Sequence, residues 1–408
     1  MPAESTYVIV GASLTGAKAA ETLREEGFDG NIVLLGEEHD RPYERPPLSK
    51  GYLLGQEDRS IIFVHDESWY AKNGVDLRLG VRVTALDPGT KQVSLDDGGT
   101  VAYDRLLLST GAFPRQLNAP GADLDGVMYL RRVGDSERLK AVLSGGGQVV
   151  TVGGGWIGLE VTAAARQAGC EVTVVEPEPV ALNRQLGPEL GGMFADLHKE
   201  HGVVFRFRES VTEMYGSGGK VTGVVTSSGQ RLPADHVVVG IGAIPSTSLA
   251  ADAGLDIGNG VIVDAGLRTS APDVFAAGDV ANAFHPLFGK HIRVEHWANA
   301  LKGGPAVARS MLGQGISYDP VPYFYSDQYD LGMETAGLPD PDSYDQIIYR
   351  GDRDAREFIA FWLLDGVVVA GMNVNVWDVN EDIQALVRSR RPVDQARLAD
   401  PDVPLTDL

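Results

Sequence analysis

A single cysteine among 408 residues removes whole classes of chemistry. One thiol builds no disulfide framework, supplies no four-cysteine metal centre and leaves no dithiol to carry electrons. Cys170 lies in Ala168-Gly169-Cys170-Glu171, which reads as a helix-to-strand turn, so a small buried apolar role is expected. Long apolar runs are missing as well. None approaches the ~20 residues of a membrane span, and the longest candidate, 358–372, is divided into two strands by the turn signal Asp365-Gly366. No basic-plus-apolar leader opens the chain, so a cytoplasmic protein is expected. Positive charge is scarce: 35 Lys and Arg face 56 Asp and Glu, a net −21, whereas a general nucleic-acid binder needs a basic surface to displace counterions.

Glycine is plentiful, and two of its clusters carry chemistry. Gly153-Gly154-Gly155-Trp156-Ile157-Gly158 satisfies Gly-x-Gly-x-x-Gly between the strand-like 149–152 and the helix-like 159–168. Gly153 permits the tight turn, Gly155 lets the backbone approach a pyrophosphate, Gly158 lets the helix pack on its strand, and the helix N-terminus meets negative charge. Glu176 ends the next strand, where a carboxylate accepts from a ribose 2′-hydroxyl and repels a 2′-phosphate. No Arg follows until Arg184, which favours NADH over NADPH. The other turn, Gly11-Ala12-Ser13-Leu14-Thr15-Gly16, follows 7–10 and leads to Glu37 at the end of 31–36. It departs from the pattern at Ser13, whose Cβ crowds a pyrophosphate while its hydroxyl can donate to one.

The context of the two turns repeats. Each is followed by a short strand (75–79; 203–207) and a hairpin turning at Asp97-Gly98 or Ser228-Gly229. An apolar strand then closes on Gly111-Ala112-Phe113-Pro114 or Gly242-Ala243-Ile244-Pro245. The fold class expected is therefore α/β, with two Rossmann-like dinucleotide-binding domains made by internal duplication and two or three domains in all.

Four segments carry a resemblance: Val8-Ile9-Val10-Gly11, Arg41-Pro42-Tyr43-Glu44-Arg45-Pro46-Pro47-Leu48-Ser49-Lys50, the turn 153–160, and Val274-Phe275-Ala276-Ala277-Gly278-Asp279-Val280-Ala281. With them the chain resembles the FAD-dependent NADH:ferredoxin reductases of cytochrome P450 and aromatic-ring dioxygenase systems, of the putidaredoxin reductase type. The resemblance extends over essentially the whole chain, including Tyr323-Phe324-Tyr325-Ser326-Asp327-Gln328-Tyr329-Asp330, where that family's C-terminal domain begins. It implies a flavin disulfide reductase-like fold of the glutathione reductase type. An FAD domain at 1–113 and 246–318 flanks an NADH domain at 114–245, followed by an α+β C-terminal domain at 319–408.

The same resemblance implies the site. Lys50 stands beside the flavin N5 edge and Glu160 near the nicotinamide, each fixing the other. Arg45 and Pro46 line the flavin; Thr15, Glu37, Val83, Arg131 and Trp297 match flavin contacts, Thr110-Gly111 a chain crossing, and Asp279 an acceptor for ribityl hydroxyls. A helix beginning near 295–300 directs its positive end at the flavin. Trp156 either gates the nicotinamide pocket or packs between domains. Disulfide-reductase relatives carry a Cys-x-x-x-x-Cys pair near 42–47; here Pro-Tyr-Glu-Arg-Pro-Pro stands instead, so electrons leave the flavin directly. The family usually shows tryptophans where this chain has Tyr323-Phe324-Tyr325. Arg388, Arg390 and Arg391 form the one dense basic cluster, either a docking patch or a solvated helix end.

The expected function is transfer of a hydride from NADH to FAD and of single electrons to a [2Fe-2S] ferredoxin, in a monomer or weak dimer. The alternatives are a reductase of quinones or radicals, and an NADH-sensing flavoprotein of the apoptosis-inducing-factor type.

Overall fold

The computed structural model describes residues 5–339 and 344–408, which fall into two compact units. The first unit runs to Arg45 and adds Arg59–Phe113 and Ile244–Pro320. Its centre is a parallel sheet in the order Val274–Ala276, Arg105–Leu108, Thr6–Val10, Asn31–Gly36, Val75–Leu79. Val8, Ile9, Leu34 and Leu106 are wholly buried, in one core with Leu23 of the first helix and with Leu86 and Val93 of an antiparallel sheet, and a covered parallel sheet demands near-continuous apolar strands. Helices Leu14–Glu25 and Trp297–Met311 approach closely: a Cβ on Gly304 would lie 2.7 Å from the Thr15 carbonyl oxygen.

The second unit holds Pro46–Asp58, Pro114–Ala243 and Val321–Leu408. Its parallel sheet repeats the arrangement, ordered Val204–Phe207, Glu171–Glu176, Gln148–Val152, His236–Val239, Val127–Met128. The outermost strand is supplied differently in the two units. In the first it comes from the returning segment near Val274, and in the second from Val127–Met128, ahead of the glycine turn. A two-residue edge strand leaves almost no pattern, and the sequence reading missed it.

Each unit also carries a three-stranded antiparallel sheet, Val83–Asp87 with Gln92–Leu95 and Thr100–Ala102, and Val211–Ser217 with Lys220–Thr226 and Arg231–Pro233. The turns expected at Asp97-Gly98 and Ser228-Gly229 join the last two strands of each, with positive φ at Gly98 and Gly229. The first strand of each sheet, largely exposed, was not recognised.

The C-terminal part of the second unit is an antiparallel sheet ordered Tyr323–Gln328, Leu331–Gly337, Val367–Val374, Glu357–Leu364, Gln346–Asp352. The apolar stretch 358–372 is indeed two strands, joined through Asp365 (φ 51°) and Gly366 (φ 77°), the left-handed pair a tight hairpin requires. Helix Asn380–Ser389 covers this sheet so closely that a Cβ on Gly371 would lie 2.5 Å from Ile383 Cγ2. Cys170 is fully buried between helix Trp156–Gln167 and strand Glu171–Glu176. Its thiol donates to the Leu143 carbonyl at 3.4 Å, and burial pushes its pKa up. Among the described residues no helix is long and apolar enough to cross a membrane, and no His, Cys, Asp and Glu cluster suits a metal.

Candidate active site

The two glycine turns superpose in logic, residue for residue. Gly11 and Gly153 have φ of 119° and 101°, and an added Cβ would lie 2.2 Å from the Ser109 carbonyl oxygen or 2.4 Å from that of Gly240. Gly16 and Gly158 lie against the turns themselves, where a Cβ would be 2.2 Å from the carbonyl oxygen of Gly11 or Gly153. These four glycines are demanded by the fold. Gly155 is not: its nearest protein atom would be 3.9 Å from a Cβ, and φ is an ordinary −81°. What it leaves room for comes from outside the protein. Ser13 holds the matching place with an extended backbone, φ −123°, which any residue adopts, so the departure from glycine carries no backbone strain.

Both turns open helices whose ends suit an anion. Helices Leu14–Glu25 and Trp156–Gln167 have no side-chain N-cap and no acidic residue in the first turn. Their leading N–H groups therefore keep their positive character. Leu14 and Thr15 are buried, whereas Ile157 is 45% exposed. These features fit two dinucleotide pyrophosphates.

The acidic residues after the turns differ. Glu176 is buried, one oxygen accepting from the Gly154 N–H at 2.5 Å and the other from the Glu178 N–H at 2.9 Å. It thus ties the glycine turn to the end of its strand while keeping negative charge there. Glu37 is exposed at the end of its strand.

Around the first turn, a Cβ on Gly278 would lie 2.6 Å from Thr15 Oγ1, so the third motif, with half-buried Asp279, packs directly on the first helix. Asp279 is also an electrostatic neighbour of Arg45, with Tyr43 and Glu38. Arg45 donates to the Tyr43 hydroxyl at 3.2 Å and meets Glu38 at 3.5 Å. Trp297 begins its helix and donates from Nε1 to Glu44 at 3.2 Å. The Nδ1 of the N-cap residue His296 accepts from the Ala298 N–H at 3.3 Å. Thr110 Oγ1 donates to the Ser246 carbonyl at 3.0 Å, and the Ser246 N–H to Gly111 at 2.9 Å, which ties the two segments side by side. Val83 opens the three-stranded sheet.

The second unit collects the remaining candidates. Pro46 begins a short 3-10 turn, Pro46–Ser49, that delivers Ser49 and Lys50 to the helix bearing Glu160. Lys50 Nζ lies 2.8 Å from Glu160 Oε1, and the two are 19% and 3% exposed. Ser49 Oγ donates to Glu160 Oε2 and Ser326 Oγ donates to Oε1 at 2.7 Å. The Lys50 ammonium also sits 5.4 Å from the Tyr325 ring centre. Burial raises the pKa of nearby Asp327, against the opposing influence of Lys50. Trp156 packs edge-on against Phe194 at 5.5 Å and at a tilt of 39° against Phe324 at 4.7 Å. Gly242 has φ 99° and open space where a Cβ would be. Arg131 stands ahead of helix Val133–Leu143, its N–H donating to Asp135 at 3.0 Å.

Sequence reasoning missed Ser49, Ser326, Glu38 and Glu44. Ser326 is 166 residues from Glu160, and a serine in a strand carries no signal of its partner.

Comparison with known proteins agrees with this arrangement. Residues 5–304 match the pyridine nucleotide-disulphide oxidoreductase family, and residues 323–408 match the reductase C-terminal family. The ferredoxin–NAD(+) reductase component of the anthranilate 1,2-dioxygenase system of Burkholderia cepacia is 41% identical, over 98% of each chain. Putidaredoxin reductase in its covalent complex with putidaredoxin superposes with a TM-score of 0.95 at 36% identity, covering 99% of this chain and 98% of that one. The ferredoxin reductase for the CYP199A2 system of Rhodopseudomonas palustris does so with the same TM-score and identity, covering 99% of each. The chain belongs to the pyridine nucleotide-disulphide oxidoreductase family, among its ferredoxin reductases, enzymes that use FAD and NAD(P)H.

Proposed function

We propose that this chain takes hydride from NADH onto FAD and passes single electrons to a [2Fe-2S] ferredoxin serving a cytochrome P450 or ring-hydroxylating oxygenase. The observation that carries this reading is the Lys50–Glu160 pair, built into the second glycine-turn helix, in a chain with no second thiol to take electrons onward. Bound FAD supplies the conversion of a two-electron input into one-electron outputs. The protein's residues bind, orient and exclude water. Gly11, Ser13, Leu14, Thr15 and Gly16 hold the FAD pyrophosphate, with Glu37, Arg45, Pro46, Val83, Thr110, Gly111, Arg131, Asp279 and Trp297 around the rest of the cofactor. Gly153, Gly155, Trp156, Ile157, Gly158, Glu176 and Gly242 hold NADH. Lys50 and Glu160 orient the hydride site.

We assign FAD to 1–113 with 246–318, NADH to 114–245, and partner choice to 319–408. The named relatives, which serve dioxygenase and P450-type systems, support a ferredoxin acceptor. The exposed Arg388, Arg390 and Arg391 at the end of helix Asn380–Ser389 supply local positive charge for an acidic partner against the net field. We place the protein in the cytoplasm, where NADH is available, as a monomer or weak dimer.

The test is anaerobic stopped-flow reduction of the FAD-loaded protein by NADH, then mixing with an oxidised [2Fe-2S] ferredoxin or a quinone. Fast, salt-sensitive transfer to the ferredoxin is expected. Transfer to the quinone alone overturns the assignment in favour of small-molecule reduction, and a persistent reduced complex that uses neither acceptor overturns it in favour of NADH sensing.

A further inference from the structure

Glu160 is the end of a buried polar chain that crosses three elements of the second unit. Ser326 Oγ donates to Glu160 Oε1 at 2.7 Å, and Gln328 Nε2 donates to Ser326 Oγ at 3.1 Å. Gln328 Oε1 faces His198 Nε2 at 2.8 Å, and His198 Nδ1 faces the Tyr329 hydroxyl at 3.3 Å. Beyond lies His201, stacked on the Tyr329 ring at 3.6 Å with Nδ1 2.9 Å from the Leu197 carbonyl oxygen. Helix Trp156–Gln167 contributes Glu160, helix Asn183–Glu200 His198, and strand Tyr323–Gln328 the serine and glutamine.

The direction of every bond is forced from one end. A carboxylate only accepts, so the Ser326 hydroxyl spends its proton on Glu160 and must itself accept from the Gln328 amide nitrogen. That turns the Gln328 oxygen toward His198, which must then carry its proton on Nε2. Nδ1 is left to accept from Tyr329. The opposite amide orientation would oblige Ser326 to donate to Gln328 and deprive Glu160 of the Ser326 donor. Burial pushes His198 down to about 4, so the ring is neutral at neutral pH and adds no cation at the far end of the chain.

Packing alone does not call for such a chain. His198, Gln328 and Ser326 are 0%, 1% and 0% exposed; Ser326 and Gln328 pair in register with Met333 and Leu331, members of an apolar cluster that includes Leu197 beside His198, where apolar side chains would pack without needing partners. We infer that His198 and Gln328 are positioning residues that set the orientation of the Glu160 carboxylate toward Lys50 through a one-way chain of hydrogen-bond donors. The inference rests on the reading of Lys50 and Glu160 as the hydride site.

The test compares His198→Leu, His198→Gln and Gln328→Leu with Glu160→Gln in the FAD-loaded protein. Isotope-labelled histidine NMR reads the tautomer, and stopped-flow reduction separates the rate of flavin reduction from the affinity for NADH. A His198 ring protonated at Nε2 is expected. Losing one hydrogen bond in a chain that ends on a charge should slow flavin reduction about tenfold in His198→Leu and Gln328→Leu, with NADH affinity unchanged. His198→Gln, whose amide nitrogen can reach the Nε2 position, should recover most of the rate. His198→Leu should add nothing in a Glu160→Gln background. Protonation at Nδ1 overturns the inference, as do wild-type rates in His198→Leu and Gln328→Leu beside a slow Glu160→Gln. If Glu160→Gln is itself as fast as wild type, the hydride-site reading fails and the positioning role falls with it.

Discussion

Lys50 Nζ and Glu160 Oε1 meet at 2.8 Å with the carboxylate almost wholly enclosed, joining the proline-rich segment to the second glycine-turn helix. Replacing Glu160 by Gln keeps the volume and an oxygen to accept from Ser326, but removes the charge and puts an amide nitrogen where Oε2 accepts from Ser49. A partly buried ammonium then loses its partner. Stability should fall by about 1–3 kcal/mol, less than for a fully buried pair because Lys50 retains some solvent. Flavin reduction by NADH should slow by roughly ten- to a hundredfold. Denaturant unfolding and anaerobic stopped-flow measure the two effects; an unchanged reduction rate removes the pair from the hydride site.

The glycines of the second turn should separate by consequence. Gly158→Ala forces a Cβ to within 2.2 Å of the Gly153 carbonyl oxygen, and should cost about 2–4 kcal/mol. Gly155→Ala meets nothing closer than 3.9 Å, so stability should stay within about 0.5 kcal/mol while KM for NADH rises about tenfold. Thermal melts and steady-state kinetics on both variants decide it. A destabilised Gly155→Ala with normal NADH affinity would contradict the assignment.

Glu176→Ala removes both the carboxylate at the strand end and its bond to the Gly154 N–H. KM for NADH should rise about tenfold, and the ratio of kcat/KM for NADPH to that for NADH should increase, because the repulsion of a 2′-phosphate is gone. Unchanged nucleotide preference would leave Glu176 a purely structural tie.

Burial lowers the pKa of His198 from 6.5 to about 4, the neighbouring His201 reinforcing the shift and Gln328 opposing it. The Tyr329 hydroxyl, 3.3 Å from Nδ1, is a further titratable neighbour. The folded value lies below the unfolded one, so the unfolded chain binds the proton first as pH falls. The stability associated with a neutral His198 is therefore whole above pH 6.5 and lost progressively toward about pH 4. The loss over that window is roughly 2–3 kcal/mol. Unfolding free energies of wild type and His198→Gln at pH 7 and pH 4.5 should converge at the lower value; parallel pH profiles would refute the assignment.

The duplicated strand–turn–helix units and the Asp365-Gly366 hairpin were readable from the chain because their signals are local. Positive φ at Gly11 and Gly153, and contact with their own turns at Gly16 and Gly158, require glycine at fixed spacing. Parallel strands buried on both faces require unbroken apolar runs. Strands Val83–Asp87 and Val211–Ser217 escaped notice because they are short of buried side chains, and pairing with a neighbour, rather than their own pattern, makes them strands.

By itself the sequence determined the two nucleotide-type turns, their acidic partners and the absence of a redox dithiol, since each depends on residue type and near neighbours. Only the tertiary structure decided that Ser49, Lys50 and Ser326 converge on Glu160, and that Ser326 extends through Gln328 to His198. Those contacts join segments distant in sequence. A buried carboxylate must gather donors from whatever elements the packing brings within reach, and packing has no period along the chain.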